Sequence, residues 1–323
     1  MNRRQLLAAA VSLSCLAAAP FASGQAWPDK PLRIVVASGA GSSLDALARA
    51  ISEPLRERLG QPVIVENKPA AGGTVATAEV AKSAPDGTTM VLGFPGPFAF
   101  GPLLQKLPYD VNKDLAPVII TSNQPLILVV NADLPVRNVA ELVAWSKANP
   151  GKLTYASVGN GSSAHLGMEL LKSLSGIDAL HVPFNGSPPA VLATVQGETK
   201  ALLAVMQPVQ AQIQAGKLRA IAVTTAKRFF LFPDLPSIAE AGYPGFEIQG
   251  WNGLMVAAGT PPAIVARLNS EINAILKRPD IVQKMQGLGF ELIGGTPEEF
   301  GTLIRNDVAR LTPVVKAVGL KVD

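Results

Sequence analysis

Two segments of this chain share one order of elements: a short apolar strand, a glycine-rich turn and a helix. In the first segment, a β-branched run over 32–37 leads into the turn 39–43 and a helical pattern over 44–59. The second segment repeats this order over 153–173. Such alternation predicts parallel strands covered by helices, and its recurrence predicts two similar α/β lobes that face each other.

The chain between these segments interrupts the alternation. Residues 94–114 are rich in proline and are predicted to be irregular. Later in the chain, strands are predicted over 200–205 and 218–224, before a final helix pair over 262–277 and 297–318. Because open α/β sheets bind ligands at the carboxyl ends of their strands, the site is expected where those ends of the two lobes meet.

The first 26 residues have the order of a secretory signal peptide. Arg3 and Arg4 precede an apolar run from Leu6 to Ala19, which is too short to span a bilayer, and small residues follow. The alternative is a membrane anchor or a buried helix, which this order disfavours. Removal of the segment would take Cys15, the only cysteine, so neither a disulfide nor thiolate chemistry is expected in the mature protein.

Composition excludes several classes of function. The formal net charge is +4, no cluster of Lys and Arg is longer than a pair, and aromatic residues make up 5% of the chain. Nucleic-acid and membrane-surface binding therefore have no electrostatic basis. The chain has two histidines and no clustered acidic ligands, so neither a metal site nor a cofactor is predicted.

The first glycine-rich turn has the composition of an anion-binding loop. Glycines let the chain turn sharply and expose backbone N–H groups, and the start of the following helix adds N–H groups without intrahelical partners. A helix terminus of this kind stabilises an anion by about 0.3–2 kcal/mol without a basic side chain. The alternative is a plain tight connection with a serine cap. The candidate ligand-binding residues are Ser38, Gly39, Ala40, Gly41, Ser42, Ser43 and Asp45.

A second turn and a third loop repeat this chemistry. Both leave a predicted strand, open a helix and are rich in Gly, Ser and Asn. Two such turns favour anion capture, because a dicarboxylate held between two lobes needs hydrogen-bond donors at each end. The candidates are Asn160, Gly161, Ser162, Ser163 and His165 in the second turn, with Asn185 and Gly186 in the third loop.

Two enzymatic interpretations compete with binding. Gly39-x-Gly41 after a strand resembles half of a dinucleotide fingerprint, but Leu44 occupies the third glycine position. Ser163 and His165 could pair as in a secreted hydrolase, yet no Gly-x-Ser-x-Gly elbow occurs. A helix cap or a ligand contact explains His165 better, so we predict that the protein is not an enzyme.

Motifs along nearly the whole mature chain also resemble a known family. They occupy residues 28–36, 65–74, 84–88, 155–165, 181–187, 215–223, 235–242 and 258–261. In this order they are similar to the substrate-binding proteins of tripartite tricarboxylate transporters, often called Bug proteins.

This resemblance implies a periplasmic binding protein of type II, with two α/β lobes joined by two crossing strands and a ligand cleft between them. Lobe 1 is expected from 27–124 and 249–323, and lobe 2 from 125–248. The resemblance further implies that backbone N–H groups, hydroxyls and waters hold the ligand's carboxylates. The implied partners are the two membrane subunits of such a transporter.

The chain departs from the family in its first loop, which usually reads Pro-Phe-x-x-Gly-Gly before the helix and its Asp. Here Ala37-Ser38 replaces Pro-Phe and Ser42 replaces the second glycine, while Asp45 is retained. Gln207 stands where some relatives have an acid that binds an amino group, which favours a ligand without a required ammonium. The candidate apolar wall residues are Phe94, Phe98 and Trp251.

We therefore predict a monomeric periplasmic receptor that captures a small carboxylate for a tripartite tricarboxylate-type transporter. The alternatives are a ligand-sensing receptor for a sensor kinase and, as a third class, a secreted hydrolase. The ligand stays open among citrate, small dicarboxylates, amino acids and aromatic acids.

Overall fold

The strands form two sheets in the computed structural model, which describes residues 27–248 and 250–318. The predicted signal peptide, residues 1–26, lies outside the described residues. The strands are β1 Leu32–Val36, β2 Val63–Asn67, β3 Thr89–Gly93, β4 Leu115–Asn123, β5 Ile127–Asn131, β6 Thr154–Ser157, β7 Leu180–Pro183, β8 Ala201–Ala204, β9 Leu218–Val223, β10 Trp251–Ala257 and β11 Glu291–Leu292.

The first sheet has six strands in the order β11-β4-β10-β3-β1-β2. β1 pairs in parallel with β2 and β3, as the strand–helix–strand spacing predicted. β10 lies antiparallel between β3 and β4, an insertion that the sequence pattern did not predict. Because β10 follows the chain's return from the second sheet, it enters from the opposite end and runs in the opposite direction.

The second sheet has five strands in the order β7-β6-β8-β5-β9. β6 pairs in parallel with β7 and β8, and β5 lies antiparallel between β8 and β9. Every residue of β5 and β8 is buried, which is the pattern of central strands covered on both faces.

Helices cover both sheets. They are α1 Ser43–Leu59, α2 Thr74–Ala81, α3 Gly101–Leu104, α4 Val111–Asp114, α5 Val139–Ala148, α6 Ser163–Ser175, α7 Ser187–Val195, α8 Met206–Gln214, α9 Pro262–Leu276, α10 Pro279–Gln286 and α11 Pro297–Val318. Local signals set the ends of α1 and α6, which begin after serine caps and end at the left-handed Gly60 and Gly176.

The segment 94–114, predicted to be irregular, is largely helical. It contains a π-helical turn over Gly96–Phe100 and the short helices α3 and α4. Phe98 and Phe100 are almost completely buried. The helical turns thus coincide with the burial of these two rings in the core. The local proline content does not reveal that burial.

Two chain crossings connect the sheets and are tied together by hydrogen bonds. The N–H of Gln124 donates to the carbonyl of Gly250 at 3.0 Å. The hydroxyl of Thr224 accepts from the N–H of Leu126 at 3.1 Å and donates to the carbonyl of Ile248 at 2.9 Å. A Cβ at Gly250 would lie 1.9 Å from the carbonyl oxygen of Gln124, so this crossing accepts only glycine.

Two of the three candidate wall residues belong to the core. The rings of Phe98 and Trp251 stack with centroids 6.3 Å apart, and Phe300 packs edge-on against both. The indole N–H of Trp251 donates to Asp307 Oδ2 at 2.6 Å. With 1% of each residue exposed, Phe98 and Trp251 pack inside the core and stabilise the fold. The lobe boundaries at 124/125 and 248/249 stay a prediction.

Within the described ranges, no helix combines the length and the apolar character needed to cross a membrane.

Candidate functional site

A cleft lies between the two sheets, beside the carboxyl ends of β1, β3, β6 and β8. Its empty space, counted out into the open mouth, is about 790 Å³. Its lining residues come from both sheets and from the two crossings. Six of the predicted ligand-binding residues are among them: Ser38, Ser42, Ser43, Phe94, Ser163 and Gly186.

Residues 38–45, which we term loop 1, are held by their own hydrogen bonds. Gly41, at a φ of 77°, donates its N–H to Asp45 Oδ2 at 3.0 Å. The N–H of Asp45 donates in turn to Ser42 Oγ at 3.2 Å, which makes Ser42 the N-cap of α1. Ser43 and Leu44, the first residues of α1, line the cleft, and residues at this position have no intrahelical acceptor for their N–H groups.

Residues 158–165, termed loop 2, repeat the same arrangement on the other lobe. Gly161, at a φ of 73°, donates its N–H to His165 Nδ1 at 3.1 Å. The N–H of His165 donates to Ser162 Oγ at 3.3 Å, and Ser162 caps α6. Ser163 and Ala164 begin this helix and line the cleft opposite loop 1.

Asp45 is buried but keeps its charge. Burial favours the protonated acid, but hydrogen bonds from Arg49 and from the N–H of Gly41 outweigh it, so the pKa of Asp45 lies below its usual value. Arg49 Nε lies 3.1 Å from the carboxylate. The negative charge inside loop 1 is therefore compensated before any ligand arrives.

Helix N-termini supply the positive potential of the cleft. α7 begins at Ser187 after Gly186, and both residues line the cleft beside the N-termini of α1 and α6. None of the described residues that line the cleft has a charged side chain. The arrangement therefore suits an anion that is bound by N–H and hydroxyl donors and by helix dipoles, without an ion pair.

The two lobes touch beside the cleft through glycines. Ala71, Gly72 and Gly73 have consecutive positive φ values of 50°, 60° and 91°. A Cβ on Gly72 would lie 3.1 Å from the carbonyl oxygen of Asn160 in loop 2, a contact between lobes. Ala71 has a left-handed conformation that costs a non-glycine residue about 1–2 kcal/mol, and such strain is concentrated at functional sites.

Three stacked rings support loop 2 from behind. The rings of His165 and His181 have centroids 4.0 Å apart at an interplanar angle of 11°. The ring of Tyr155 is nearly parallel to that of His181, with centroids 4.9 Å apart, and its hydroxyl donates to Glu169 Oε1 at 2.6 Å. Lys172 Nζ binds the same oxygen at 2.7 Å.

Both imidazoles are held neutral. His165 Nδ1 accepts the N–H of Gly161, so the proton of the neutral ring is on Nε2. Burial lowers the pKa of His165. Burial also lowers the pKa of His181 to about 3, and the neighbouring His165 and Lys172 add to this shift.

The pairing expected of a hydrolase is not formed. His165 Nδ1 is engaged by loop 2 itself, so it does not activate Ser163. A different pair, Ser157 Oγ and His181 Nε2, lies at 2.6 Å, but Ser157 is completely buried and has no access to the cleft. Within the described ranges, no group of three His, Cys, Asp or Glu residues is placed to hold a metal ion.

The other predicted residues surround the cleft without lining it. Gly41, Asp45, Gly161, Ser162 and His165 make the internal hydrogen bonds of the two loops. The outer positions of the loops are Gly39, Ala40, Asn160 and Asn185. Gln207 is half-buried, and its Oε1 has no hydrogen-bond partner within the described residues. A direct ligand contact stays a prediction for each residue.

The sequence did not predict several residues that line the cleft, at its floor and on its wall. Gln124 and Gly250 from the crossings and Asn252 from β10 form the floor, and Leu203 and Val205 contribute to the wall. The carboxyl-end rule could have found Val205, because it follows β8 directly. No local signal marks Asn252, whose place depends on the insertion of β10 into the first sheet.

Comparisons with known proteins agree with this geometry. A profile of the family described as "Tripartite tricarboxylate transporter family receptor" matches residues 47–320. Protein BugT of Bordetella pertussis is 35% identical, over 99% of this chain and 99% of its own length.

Two solved structures have the same two-lobed fold. R. palustris Rpa4515 with adipate has a TM-score of 0.87 at 34% identity, covering 91% of this chain and 99% of its own. MatC (Rpa3494) from Rhodopseudomonas palustris with bound malate has a TM-score of 0.84 at 31% identity, covering 90% of this chain and 100% of its own. The predicted type II binding-protein fold is confirmed.

Proposed function

The chain belongs to the tripartite tricarboxylate transporter receptor family, and we propose that it captures a small carboxylate between its two lobes. The related structures with adipate and malate support a carboxylate as the ligand class. The observation that carries the proposal is the meeting of three helix N-termini at a cleft whose described lining residues have no charged side chain.

A micromolar affinity for the carboxylate is compatible with these groups. Each helix terminus stabilises an anion by about 0.3–2 kcal/mol, and each hydrogen bond to a charged group contributes about 1.5–3 kcal/mol. Several such bonds reach the −8 kcal/mol or so of a micromolar complex without an ion pair. Reversible binding of this strength suits a receptor that must release its cargo.

We further propose that residues 1–26 direct export and that the mature protein works in the periplasm as a monomer. Its partners would be the two membrane subunits of the transporter, to which the closed, loaded form delivers the ligand. Family membership supports this role. The buried Ser157 and the engaged His165 support binding without chemistry, because neither residue provides an activated nucleophile at the cleft.

Calorimetric titration with adipate and with its uncharged analogue adipamide tests the proposal. We expect adipate to bind in the micromolar range and to raise the melting temperature, because a ligand of the folded state stabilises it by mass action. Adipamide should bind at least tenfold more weakly, since the helix termini act on charge. Equal binding of the two compounds would count against an anion site.

A protein control separates the cleft from the rest of α6. Ser163→Ala removes a hydroxyl that lines the cleft, while Ser173→Ala makes the same change on the exposed part of the helix. Adipate affinity should fall only in the first variant. If no carboxylate in a broad thermal-shift screen raises the melting temperature, the proposed function is wrong.

A further inference from the structure

We propose that His181 is a positioning residue for the ligand site: from β7 it fixes the backbone of loop 2 through the hydroxyl of Ser157 and the ring of His165. This inference rests on the function proposed above and adds to it a residue that does not line the cleft. The observation that leads to it concerns the two glycines of loop 2. Each donates its N–H to a side chain that contacts this one imidazole.

The pairing of β6 with β7 places His181 behind loop 2. β7 lies at the edge of the second sheet, and His181 stands opposite Tyr155 in the parallel register. Residues two apart on a strand point to the same face of the sheet, so Tyr155 and Ser157 share a face. The imidazole lies on that face as well, where it stacks against Tyr155 and reaches Ser157, the last residue of β6.

The first contact acts through a hydroxyl. His181 Nε2 lies 2.6 Å from Ser157 Oγ, and the same oxygen accepts the N–H of Gly159 at 3.1 Å. In either tautomer of a neutral imidazole, Nε2 bonds this hydroxyl, as acceptor or as donor. The bond selects the serine rotamer that faces Gly159. Gly159 has a φ of 127°, which glycine adopts without a steric preference, so the turn needs such a hydrogen bond to fix it.

The second contact is the stack of the two imidazoles. His165 Nδ1 accepts the N–H of Gly161 only while its ring keeps its orientation, and the ring of His181 lies parallel to it at 4.0 Å. The two contacts together hold both ends of the segment 159–161. This segment precedes the cap Ser162 and the cleft residue Ser163, so its position decides where the start of α6 lies.

Loop 1 has a matching support from its own edge strand. β2 lies at the edge of the first sheet, and its last residue, Asn67, donates from Nδ2 to the carbonyl of Ser38 at 3.1 Å. The position equivalent to Ser157 in this lobe is Ala37, which has no hydroxyl. Each lobe therefore fixes its binding loop from the neighbouring edge strand, with an amide in the first lobe and an imidazole in the second.

Two substitutions remove the first contact from opposite sides. His181→Phe keeps an aromatic ring against His165 and loses Nε2, while Ser157→Ala keeps the imidazole and loses the hydroxyl. We expect each change to weaken adipate binding about fivefold in calorimetry, the effect of one hydrogen bond. The double variant should bind no more weakly than the weaker single variant, because both changes break the same hydrogen bond. Losses that multiply in the double variant would overturn the contact through Ser157.

Thr199→Val is the matched control. Thr199 is a buried residue before β8, and its hydroxyl pairs with that of Thr194 at 2.8 Å, outside the cleft. This substitution should lower the free energy of unfolding and leave adipate affinity at the wild-type value. If His181→Phe behaves in the same way, with lower stability and unchanged affinity, its role is only structural and the proposal is wrong.

Amide hydrogen exchange, followed by NMR, tests the positioning without a ligand. In His181→Phe the N–H of Gly159 should exchange several-fold faster than in the wild type, because its acceptor is no longer fixed. The N–H of Gly60, bonded to the carbonyl of Arg56 on the other lobe, should exchange at an unchanged rate.

The exchange rates separate this inference from the proposed function. Equal rates at Gly159 in the wild type and in His181→Phe would overturn the inference, whatever the affinities are. A wild type that binds no carboxylate would contradict the proposed function, while the exchange rates still decide whether His181 holds loop 2. If another carboxylate from the thermal-shift screen binds in place of adipate, the affinity measurements use that compound.

Discussion

Loops 1 and 2 have the same backbone and different acceptors. Each residue of loop 2 stands 120 positions after its counterpart in loop 1, as Asp45 and His165 do. In both loops a left-handed glycine donates its N–H to a side chain four residues later, and a serine caps the helix. A carboxylate accepts in loop 1, and a neutral imidazole accepts in loop 2.

The comparison shows that both loops keep the same position of the backbone N–H donors, while the side chain that accepts from the glycine N–H differs. Asp45 brings a negative charge close to an anion site and requires Arg49 to compensate it. His165 brings no charge but depends on staying unprotonated, and burial favours that state by lowering its pKa. The loops should therefore respond alike to a change in backbone and differently to acid.

The largest expected effect is steric, because the left-handed glycines of the two loops have different neighbours. A Cβ at Gly161 would lie 3.2 Å from Cδ1 of Leu104 on the other lobe, whereas a Cβ at Gly41 meets nothing within 4 Å. Gly161→Ala and Gly41→Ala should each lower the free energy of unfolding by about 1–2 kcal/mol, the cost of the left-handed conformation.

Only Gly161→Ala should also obstruct the contact between the lobes. We expect its adipate affinity to fall at least tenfold, measured by calorimetry, and that of Gly41→Ala to fall less. Equal losses of affinity in the two variants would show that the approach of Leu104 to loop 2 is irrelevant to binding.

As the pH falls, the groups that hold loop 2 should lose their contribution to stability before those that hold loop 1. The pKa of His181 is lowered to about 3 by burial, and that of His165 is lowered by burial too. The unfolded chain binds a proton near pH 6.5, so the unfolding free energy should fall as the pH drops from about 6.5 toward 3. The pKa of Asp45 lies below 3.8, so its contribution is lost only at lower pH.

Urea unfolding at pH 6.5, 5.5 and 4.5 measures this difference. The wild type should lose stability across the series, His181→Phe should lose less because it keeps a ring without a titrating group, and Asp45→Asn should follow the wild type. A flat profile for the wild type would contradict the assignment of neutral, proton-excluding imidazoles.

The smallest expected effect compares equivalent hydroxyls. Ser43 and Ser163 begin their helices at matching positions and both line the cleft. Ser43→Ala and Ser163→Ala should each weaken adipate binding about fivefold, the equivalent of about 1 kcal/mol for one hydrogen bond. A loss in one variant alone would show that the ligand uses the hydroxyl of one loop only.

Much of the site could be predicted because its signals are local. The turn glycines, the serine caps and the helix starts are specified within eight residues, and the structure has them where the pattern placed them. The parallel pairing of β1, β2 and β3 also followed from strand–helix–strand spacing. The prediction for the segment 94–114 was wrong. Its proline content indicated irregular chain, whereas the segment is largely helical and buries Phe98 and Phe100.

The sequence by itself determined two α/β units, each with a glycine turn at a helix start, because hydrogen bonds and left-handed glycines act over a few residues. Only the tertiary structure decided which side chains share the cleft. Phe94 lines it while Trp251 joins the core, and His181 stacks on His165 from a different strand. These outcomes depend on cross-sheet pairing and burial between distant residues, and local sequence does not encode such contacts.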